Sequence, residues 1–408
     1  MHNLIPMRAY LDEAHHTREV AAIRGAWHYA ALQRELSTNR DWVLVRIADR
    51  DVIVQNFEGH LSAFTNTCPH RFNAIRSGEC GNGPLVCPYH RWSFDRCGKP
   101  AGIPFRSTFE ELDLESLRLD MWNVDTCGEF VFVRPHVENG IALNEWLGAL
   151  MPRLLAISAG MGTEYGRFRL DVRANWKLVV QNTLEFDHVY SVHPETFGSV
   201  VHSKPNLVEI DMPEPHVGYR AALSMPASSR SIHKRLAALF EKCSLGNLDE
   251  HEHISLFPLT AIGVFRRESI SILRYVPTSV GLTVVDPRLF LPRVDDLTDA
   301  ESALLKAHAR GMLEFAQKLG DEDRSICESV QRGVANLTNH QGVFGEGERI
   351  VWAFQHAYRD YLEKYLGFEA RSNLSAPIVH ANLLAFSHQQ YNTMASGTNG
   401  LCWRNPSL

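Results

Sequence analysis

The sequence predicts an α+β protein, with a small all-β domain followed by a larger domain in which helices cover an antiparallel sheet. Residues about 42–66 alternate apolar and polar side chains and contain turn signals, which is the pattern of a β-meander. Short strand-like pieces continue to about residue 135, where the pattern changes. The remaining strand-like and helical stretches lie at about 166–172, 206–224, 253–291, 298–319, 323–337 and 348–366.

From these patterns we place the all-β domain at residues 40–155 and assign residues 1–39 and 156–408 to the larger domain. The first 35 residues set apolar side chains among charged ones, so we expect a helical segment that packs on the larger domain. Asn175 is a favourable N-cap residue and predicts a helix from Trp176 to about Val189.

Length and composition are those of a soluble globular protein. The 408 residues suffice for two or three domains, and 45% of them are hydrophobic. Lys and Arg total 41 against 47 Asp and Glu, so the net charge of −6 gives no basic field that would favour nucleic acid. No apolar run approaches the ~18 residues of a membrane span, and the N-terminus lacks signal-peptide features. We therefore expect a cytoplasmic protein without a membrane partner.

Two short motifs each join one thiol to one imidazole. Cys68-Pro-His70 is followed, after sixteen residues, by Cys87-Pro-Tyr-His90. A [2Fe–2S] cluster whose irons are held by two cysteines and two histidines needs this donor set, and neutral imidazole raises its reduction potential. Zinc is the alternative, but zinc fingers usually group cysteines with cysteines, so the interleaved order favours iron–sulfur. If these were ordinary buried thiols and surface histidines, two short Cys–His pairs would have to occur in one β-domain by chance.

The remaining cysteines of this region, Cys80, Cys97 and Cys127, lie outside the motifs. As lone residues, they are expected to be small core side chains.

A second group of chemically active residues lies near the start of the larger domain. Asn182, Glu185 and His188 are three residues apart and would share one face of a helix. His193 would point about 140° away from His188 on a continuing helix, so the helix must end or deform before Pro194. Two histidines with one carboxylate would form a facial triad for iron.

Other polar residues have less specific patterns. His251 and His253 would face the same way on a strand and could bind metal, but we expect hydrogen-bonded or solvent-facing histidines. Glu268 and Arg274 are expected to be paired surface charges.

The two motifs, in this order, resemble those of Rieske-type non-heme iron oxygenases, specifically the catalytic α-subunit of the aromatic ring-hydroxylating family. The resemblance implies a Rieske domain joined to a helix-grip-like catalytic domain. It implies a cluster held by Cys68, His70, Cys87 and His90. Relatives commonly have a glycine in each cluster loop, where this chain has Arg71-Phe72 and Arg91.

The same resemblance implies mononuclear Fe(II) held by His188, His193 and a distant carboxylate, which we align with Asp323. Asp321 and Glu322 are then expected to be helix N-terminal charges. Glu185 and Asn182 are the other candidate catalytic positions. Glu185 would bridge His188 to His90 of a neighbouring subunit.

The implied activity is O2-dependent hydroxylation of an aromatic or other small organic substrate. Electrons would come from an NAD(P)H-linked flavin and iron–sulfur reductase, with or without a ferredoxin, since this chain lacks a dinucleotide-binding glycine motif. The assembly would be a head-to-tail homotrimer, and the resemblance leaves open whether a β-subunit is also required. Demethylation or quaternary-ammonium oxidation is the alternative, because Glu185 stands where many ring hydroxylases have aspartate.

The sequence supports two functions of other classes less well. A simple electron carrier would not need the second histidine group or the larger domain. A zinc-stabilised binding module would be colourless, whereas a Rieske cluster absorbs visible light.

Overall fold

The computed structural model describes residues 1–109, 113–138, 140–197, 207–210, 212–223, 230–241, 245, 250–337 and 340–366. Within these ranges the chain forms two antiparallel sheets with helices packed mainly on the second. None of the helices in these ranges combines the length and apolar character needed to cross a membrane.

The first sheet has seven strands and corresponds to the predicted all-β domain. The strands are β1 (His28–Leu32), β2 (Asp41–Ile47), β3 (Arg50–Phe57), β4 (His60–Thr65), β5 (Cys80–Asn82), β8 (Met121–Cys127) and β9 (Phe130–Pro135), and β6 (Ser93–Phe94) and β7 (Pro100–Gly102) form a separate hairpin. Their order in the sheet is β1-β9-β8-β4-β3-β2-β5. At the meander turn, Glu58 and Gly59 both have positive φ, as a tight two-residue hairpin requires.

The N-terminal segment differs from its predicted helical structure. Helix α1 (Glu13–Ile23) is present, and Asp12 caps it by accepting a hydrogen bond from the backbone N–H of His15. Strand β1, however, pairs with β9 and so belongs to the first sheet, whereas the sequence pattern placed residues 1–39 in the larger domain. All five β1 residues are buried, and a short run that is buried along its whole length does not distinguish a strand from a helix by periodicity.

The second sheet has eight antiparallel strands and forms the floor of the larger domain. The strands are β10 (Met161–Arg167), β11 (Leu170–Val172), β12 (Leu207–Glu209), β13 (Val217–Ala222), β14 (Glu250–Leu256), β15 (Thr260–Phe265), β16 (Ser269–Ser279) and β17 (Leu282–Pro292). Their order is β10-β17-β16-β15-β14-β13-β12, with β11 also paired to β17.

The other α-helices of the described residues are α2 (Leu143–Leu147), α3 (Met151–Gly160), α4 (Trp176–Asn182), α5 (Val189–Val192), α6 (Arg230–Phe240), α7 (Asp299–Ala335) and α8 (Arg349–Leu366). Helix α7 is continuous over 37 residues and starts with a capping box at Thr298, whereas the sequence predicted two helices. The expectation that Asp321 and Glu322 lie at a helix N-terminus is therefore wrong. Helix α6 was not predicted.

A buried ion pair fixes α4, the helix that leads into the candidate metal site. Nζ of Lys177 lies 2.7 Å from both carboxylate oxygens of Glu19 on α1, and both side chains are fully buried. The indole N–H of Trp176 and the hydroxyl of Tyr358 also donate to Glu19. Removing one partner would leave a buried charge without compensation.

A second ion cluster joins the two sheets. The Arg288 guanidinium on β17 donates to Glu35 at 2.8 Å and to Glu164 at 2.6 Å, and it also reaches the Tyr29 hydroxyl. Burial opposes the charge on Arg288, but these acidic neighbours hold its pKa well above the usual value. The guanidinium therefore remains charged and fixes β17 against the segment that follows β1.

Candidate cluster and metal sites

The two cysteine–histidine motifs form loops of closely similar backbone geometry. In the first loop the N–H of Phe72 donates to the carbonyl of Cys68 at 2.8 Å, and in the second the N–H of Arg91 donates to the carbonyl of Cys87 at 3.1 Å. Each cysteine N–H then donates to the carbonyl five residues later, at Asn73 and at Trp92. The paired loops present their side chains to a common space.

The two thiols lie next to each other, and so do the two imidazoles. Cys68 and Cys87 are free, buried and in contact, and burial first, then the neighbouring Cys87 thiol, raise the pKa of Cys68 to about 11. The rings of His70 and His90 lie 4.5 Å apart. The buried Nδ1 of His70 has no hydrogen-bond partner within the described ranges of the chain. One pair of adjacent thiols and one pair of adjacent imidazoles match a cluster in which each iron takes one kind of ligand.

Both residues that replace the expected loop glycines have left-handed backbone conformations. Phe72 and Arg91 each have φ of 60°. Non-glycine residues pay a steric cost there, and such strain tends to persist where the surroundings require the side chain. Phe72 is 79% exposed, so its ring is not retained for core packing.

The other cysteines have mixed positions. Cys127 is buried, as expected for a small core side chain, whereas Cys97 is exposed and the expectation for it is wrong.

In the larger domain, His188, His193 and Asp323 come together. One ligand atom from each lies within 4.8 Å of the others. Nε2 of His193 is 2.9 Å from Oδ1 of Asp323, and Nε2 of His188 is 3.7 Å from the same oxygen. Asp323 reaches this point from the middle of α7, not from a helix start as the resemblance implied.

The local backbone also differs from the predicted continuous helix. Helix α4 ends at Asn182, and turns lead to the four-residue helix α5, which has His188 at its N-cap and His193 at its C-cap. The predicted end of helix before Pro194 is confirmed, but the predicted helix through Val189 is wrong. Asn182 nevertheless reaches the site, since its amide donates to Asp323 at 2.8 Å.

Each histidine of the triad has a carboxylate behind it. Nδ1 of His188 faces Oε1 of Glu185, and Nδ1 of His193 is 2.8 Å from Oε2 of Glu322. The Thr196 hydroxyl donates to the same Glu322 oxygen at 2.6 Å. Such carboxylates fix the tautomer that leaves Nε2 free for a metal. No local sequence pattern indicates the roles of Glu322 and Thr196, because they depend on the approach of helix α7 to the segment that contains His193.

The charges in the triad favour ligand binding. Burial lowers the pKa of His188, but the carboxylates of Asp323 and Glu185 together outweigh it and raise the pKa to about 9. Burial likewise would raise the pKa of Asp323, but its hydrogen bonds to His188 and His193 lower it. Asp323 is thus anionic at neutral pH, and a metal would displace protons held on the imidazoles.

Two family profiles cover most of this architecture. The profile described as "Rieske [2Fe-2S] domain" matches residues 26–118, and that described as "Ring hydroxylating alpha subunit (catalytic domain)" matches residues 162–364. The chain belongs to the Rieske oxygenase large subunits. It is therefore an iron-dependent oxygenase that uses a [2Fe–2S] Rieske cluster and a mononuclear iron. Family membership sets aside the zinc and simple electron-carrier alternatives.

Relatives of this oxygenase act on different compounds, as their names state. The chain is 24% identical over 364 residues to "Choline monooxygenase, chloroplastic" of Arabidopsis thaliana, covering 86% of this chain and 80% of that one. It is 26% identical over 271 residues to "Anthranilate 1,2-dioxygenase large subunit" of Burkholderia cepacia, covering 61% and 60%. The fold matches "quaternary ammonium Rieske monooxygenase CntA in complex with substrate L-Carnitine" with a TM-score of 0.70, 20% identity, and coverage of 88% and 95%.

A pocket of about 220 Å³ in this oxygenase borders the triad. Phenylalanine, tyrosine, leucine and valine side chains from the second sheet, α4, α5 and α7 form most of its lining. Its charged lining residues, among those the structure describes, are Glu185, Asp323 and Arg324. The first two contact His188, and Arg324 pairs with Asp321 at 2.9 Å.

His251 and His253 line the same pocket but do not join the metal group. Burial lowers the pKa of His251 to about 4 and that of His253 to about 3, so both are neutral at pH 7. The expectation of surface charges at Glu268 and Arg274 is wrong. Glu268 is buried beside Arg266, and Arg274 is partly buried and pairs with Asp286.

Proposed function

We propose that this oxygenase hydroxylates a small, mainly apolar organic molecule, with an aromatic compound as the preferred substrate class. The observation that carries the proposal is the apolar, ring-lined pocket directly beside His188, His193 and Asp323. Such a pocket gains affinity by removing apolar substrate surface from water, and it holds the reacting carbon close to the metal.

The charges of the pocket favour an uncharged substrate. Glu185 and Asp323 are engaged with His188, so neither is free to neutralise a cationic substrate. Arg324 is already paired with Asp321, which weakens its attraction for a substrate carboxylate. A charged molecule entering this pocket would lose hydration without a dedicated partner of opposite charge.

Residue roles follow from the donor groups. We propose that Cys68 and Cys87 hold one iron of the cluster, that His70 and His90 hold the other, and that His188, His193 and Asp323 hold the mononuclear iron. When bound, these groups supply electron transfer and O2 activation. Asn182 orients Asp323, Glu185 and Glu322 orient the two imidazoles, and the apolar lining keeps water away.

A quaternary-ammonium substrate is the second candidate. The rings of Phe186, Phe265 and Phe315 surround Phe197 at centroid distances of 5.9, 5.7 and 5.4 Å. Clustered aromatic faces can bind a methylated ammonium group through cation–π attraction. The names of the choline and CntA relatives agree with this candidate.

We further propose a head-to-tail homotrimer in which the cluster loops of one copy meet the iron site of the next. The cluster end exposes Phe72 and Tyr89 beside Arg71 and Arg91, and the Arg71 guanidinium lies 5.3 Å from the Tyr89 ring. An exposed aromatic and basic rim suits a protein interface. In this assembly Glu185 would also contact His90 of the neighbouring copy. A separate reductase, with or without a ferredoxin, would supply electrons.

A product screen with a generic reductase tests the substrate class. Neutral aromatic compounds are compared with methylammonium compounds, and His188→Ala serves as the matched inactive control. We expect hydroxylated aromatic product from the wild type only. Turnover confined to methylammonium compounds would select the second candidate instead.

Glu185→Gln tests the contact between copies, because Glu185→Ala would also remove the acceptor behind His188, whereas the amide keeps one. For Glu185→Gln we expect normal cluster and iron content, normal reduction of the cluster by dithionite, and reduced product in a single turnover. Full single-turnover product would contradict the bridging role.

A further inference from the structure

His251 lies on β14 within a group of aromatic rings that line the pocket. Its ring centroid is 6.1 Å from that of Phe186, 6.4 Å from Phe197, and 6.0 Å from both Tyr219 and Phe265. A polar side chain at the centre of this apolar wall needs a physical reason. Packing alone would be served better by another phenylalanine.

Its Nδ1 is buried and has no hydrogen-bond partner among the residues that the structure describes. Two other buried histidines, His216 and His28, are better satisfied. Nε2 of His216 bonds the Trp146 carbonyl at 3.0 Å, and its Nδ1 accepts the Phe257 N–H at 3.1 Å. Nε2 of His28 bonds the Ile23 carbonyl at 2.9 Å. Buried polar atoms in folded proteins are nearly always hydrogen-bonded, so an unpaired one beside a ligand pocket indicates a function.

The protonation state limits what His251 can bind. Burial lowers the pKa of His251 in spite of a hydrogen bond between its ring and the Val264 backbone, so the ring is neutral at pH 7 and keeps Nδ1 for a further partner. A hydroxyl, carbonyl or amide group would match it. A carboxylate would receive no ionic stabilisation from it.

His251 lies close enough to the triad for one small molecule to contact both. The ring of Phe197 contacts both histidines, with its centroid 6.3 Å from that of His193 and 6.4 Å from that of His251. One phenylalanine ring thus touches both a triad histidine and the unpaired histidine. A substrate of about the size of one substituted ring could reach both.

We propose that His251 is a specificity-determining residue that hydrogen-bonds a neutral polar group of the substrate and thereby directs the opposite, apolar end toward His188, His193 and Asp323. This inference rests on the proposed aromatic substrate class and narrows it to ring compounds with one uncharged polar substituent.

His253 provides the comparison within the same strand. Its ring stacks on Tyr219 with centroids 5.3 Å apart, and its Nε2 lies 3.5 Å from the Thr183 hydroxyl. It has the same side-chain chemistry and faces the same pocket, but it already contacts protein groups. His253→Phe is therefore the matched control for His251→Phe, which keeps the ring and removes its nitrogens.

The test measures binding to the holoenzyme, by the ligand-induced rise in Tm, for two pairs of similar shape. Phenol is compared with toluene, and acetophenone with α-methylstyrene. We expect the wild type and His253→Phe to bind the oxygen-containing member about 10- to 100-fold more tightly than its hydrocarbon partner. His251→Phe should reduce that ratio to about one, and His251→Gln should recover part of it.

Three results would overturn the inference. The first is that His251→Phe keeps the wild-type ratio of affinities between the oxygen-containing compound and its hydrocarbon partner. The second is that His253→Phe loses this ratio while His251→Phe keeps it. The third is that the wild type binds both members of each pair equally. In each case the hydrocarbons still bind, so the aromatic substrate class survives. Failure of all four compounds to bind the wild type would reject the substrate class and this inference together.

Discussion

Three successive acidic residues on α7 should affect iron binding very differently. Asp323→Ala removes one of three proposed protein ligands, so iron should be lost while the cluster remains. Glu322→Ala removes the acceptor 2.8 Å from Nδ1 of His193. Loss of such an outer carboxylate typically weakens metal binding about 10- to 100-fold, or about 1.4–2.7 kcal/mol. The sequence alone indicated no effect for Glu322.

Asp321 is the matched control on the same helix turn. Its side chain is 59% exposed and pairs with the partly exposed Arg324, an interaction that contributes at most about 1 kcal/mol. Asp321→Ala should therefore keep the iron affinity of the wild type. Glu322→Gln keeps a carbonyl acceptor and should fall between Glu322→Ala and the wild type.

The assay is iron content after dialysis against increasing chelator, with the visible spectrum as a separate measure of the cluster. The expected order of iron retention is wild type and Asp321→Ala, then Glu322→Gln, then Glu322→Ala, then Asp323→Ala. Equal retention in Glu322→Ala and Asp321→Ala would refute the support of His193 by Glu322. Full retention in Asp323→Ala would mean that another group completes the triad.

Four further predictions use other parts of the chain. His70→Ala or Cys87→Ser should abolish the visible chromophore, whereas His188→Ala should keep it and abolish turnover; bleaching in His188→Ala would contradict two separate sites. Glu19→Leu should destabilise the fold by about 3–5 kcal/mol in urea denaturation, because it leaves Lys177 charged and buried, and Glu19→Leu with Lys177→Met should recover much of that loss. Phe72→Gly should raise the free energy of unfolding by about 1 kcal/mol through relief of its positive φ, and a loss would contradict this. Burial lowers the pKa of His28 and His216 to about 4, so the unfolded state binds more protons than the folded state between pH 6.5 and 4. The free energy of unfolding should therefore fall by about 1.4 kcal/mol per pH unit for each histidine as the pH drops through that window. A Tm that does not change over this pH range would refute the prediction.

The fold class and the residue types of both sites could be predicted from the sequence because they depend on local patterns. Alternation over residues 42–66 and the turn at Glu58-Gly59 specify the meander without reference to the rest of the chain. The two cysteine–histidine motifs likewise need only short loops. The spacing of the two motifs does not depend on how the larger domain folds. The order of the four residues along the chain is therefore enough to predict that they form one site.

What the sequence could not supply depends on contacts between distant segments. The role of Glu322 requires that α7 runs unbroken past His193, and its acidic neighbours made it look like a helix-terminal charge. The burial of Glu268 depends on packing against a helix segment, and nothing within residues 266–274 indicates it. The environment of His251 could not be predicted either, because four aromatic rings from separate segments surround its imidazole only in the folded chain.

The break after Asn182 shows how local structure produces the chemistry of the triad. A straight helix cannot direct His188 and His193 to one point, so the chain leaves α4 and starts the short α5 between them. Glu185 falls in the turn, where its Oε2 accepts the backbone N–H of His188 at 3.2 Å while its Oε1 faces Nδ1 of the same residue. One carboxylate thus caps α5 and orients the imidazole at its start. Replacing it must therefore act on the position of His188 as well as on any neighbouring copy, and only Glu185→Gln, which keeps an acceptor for the cap, separates the two effects.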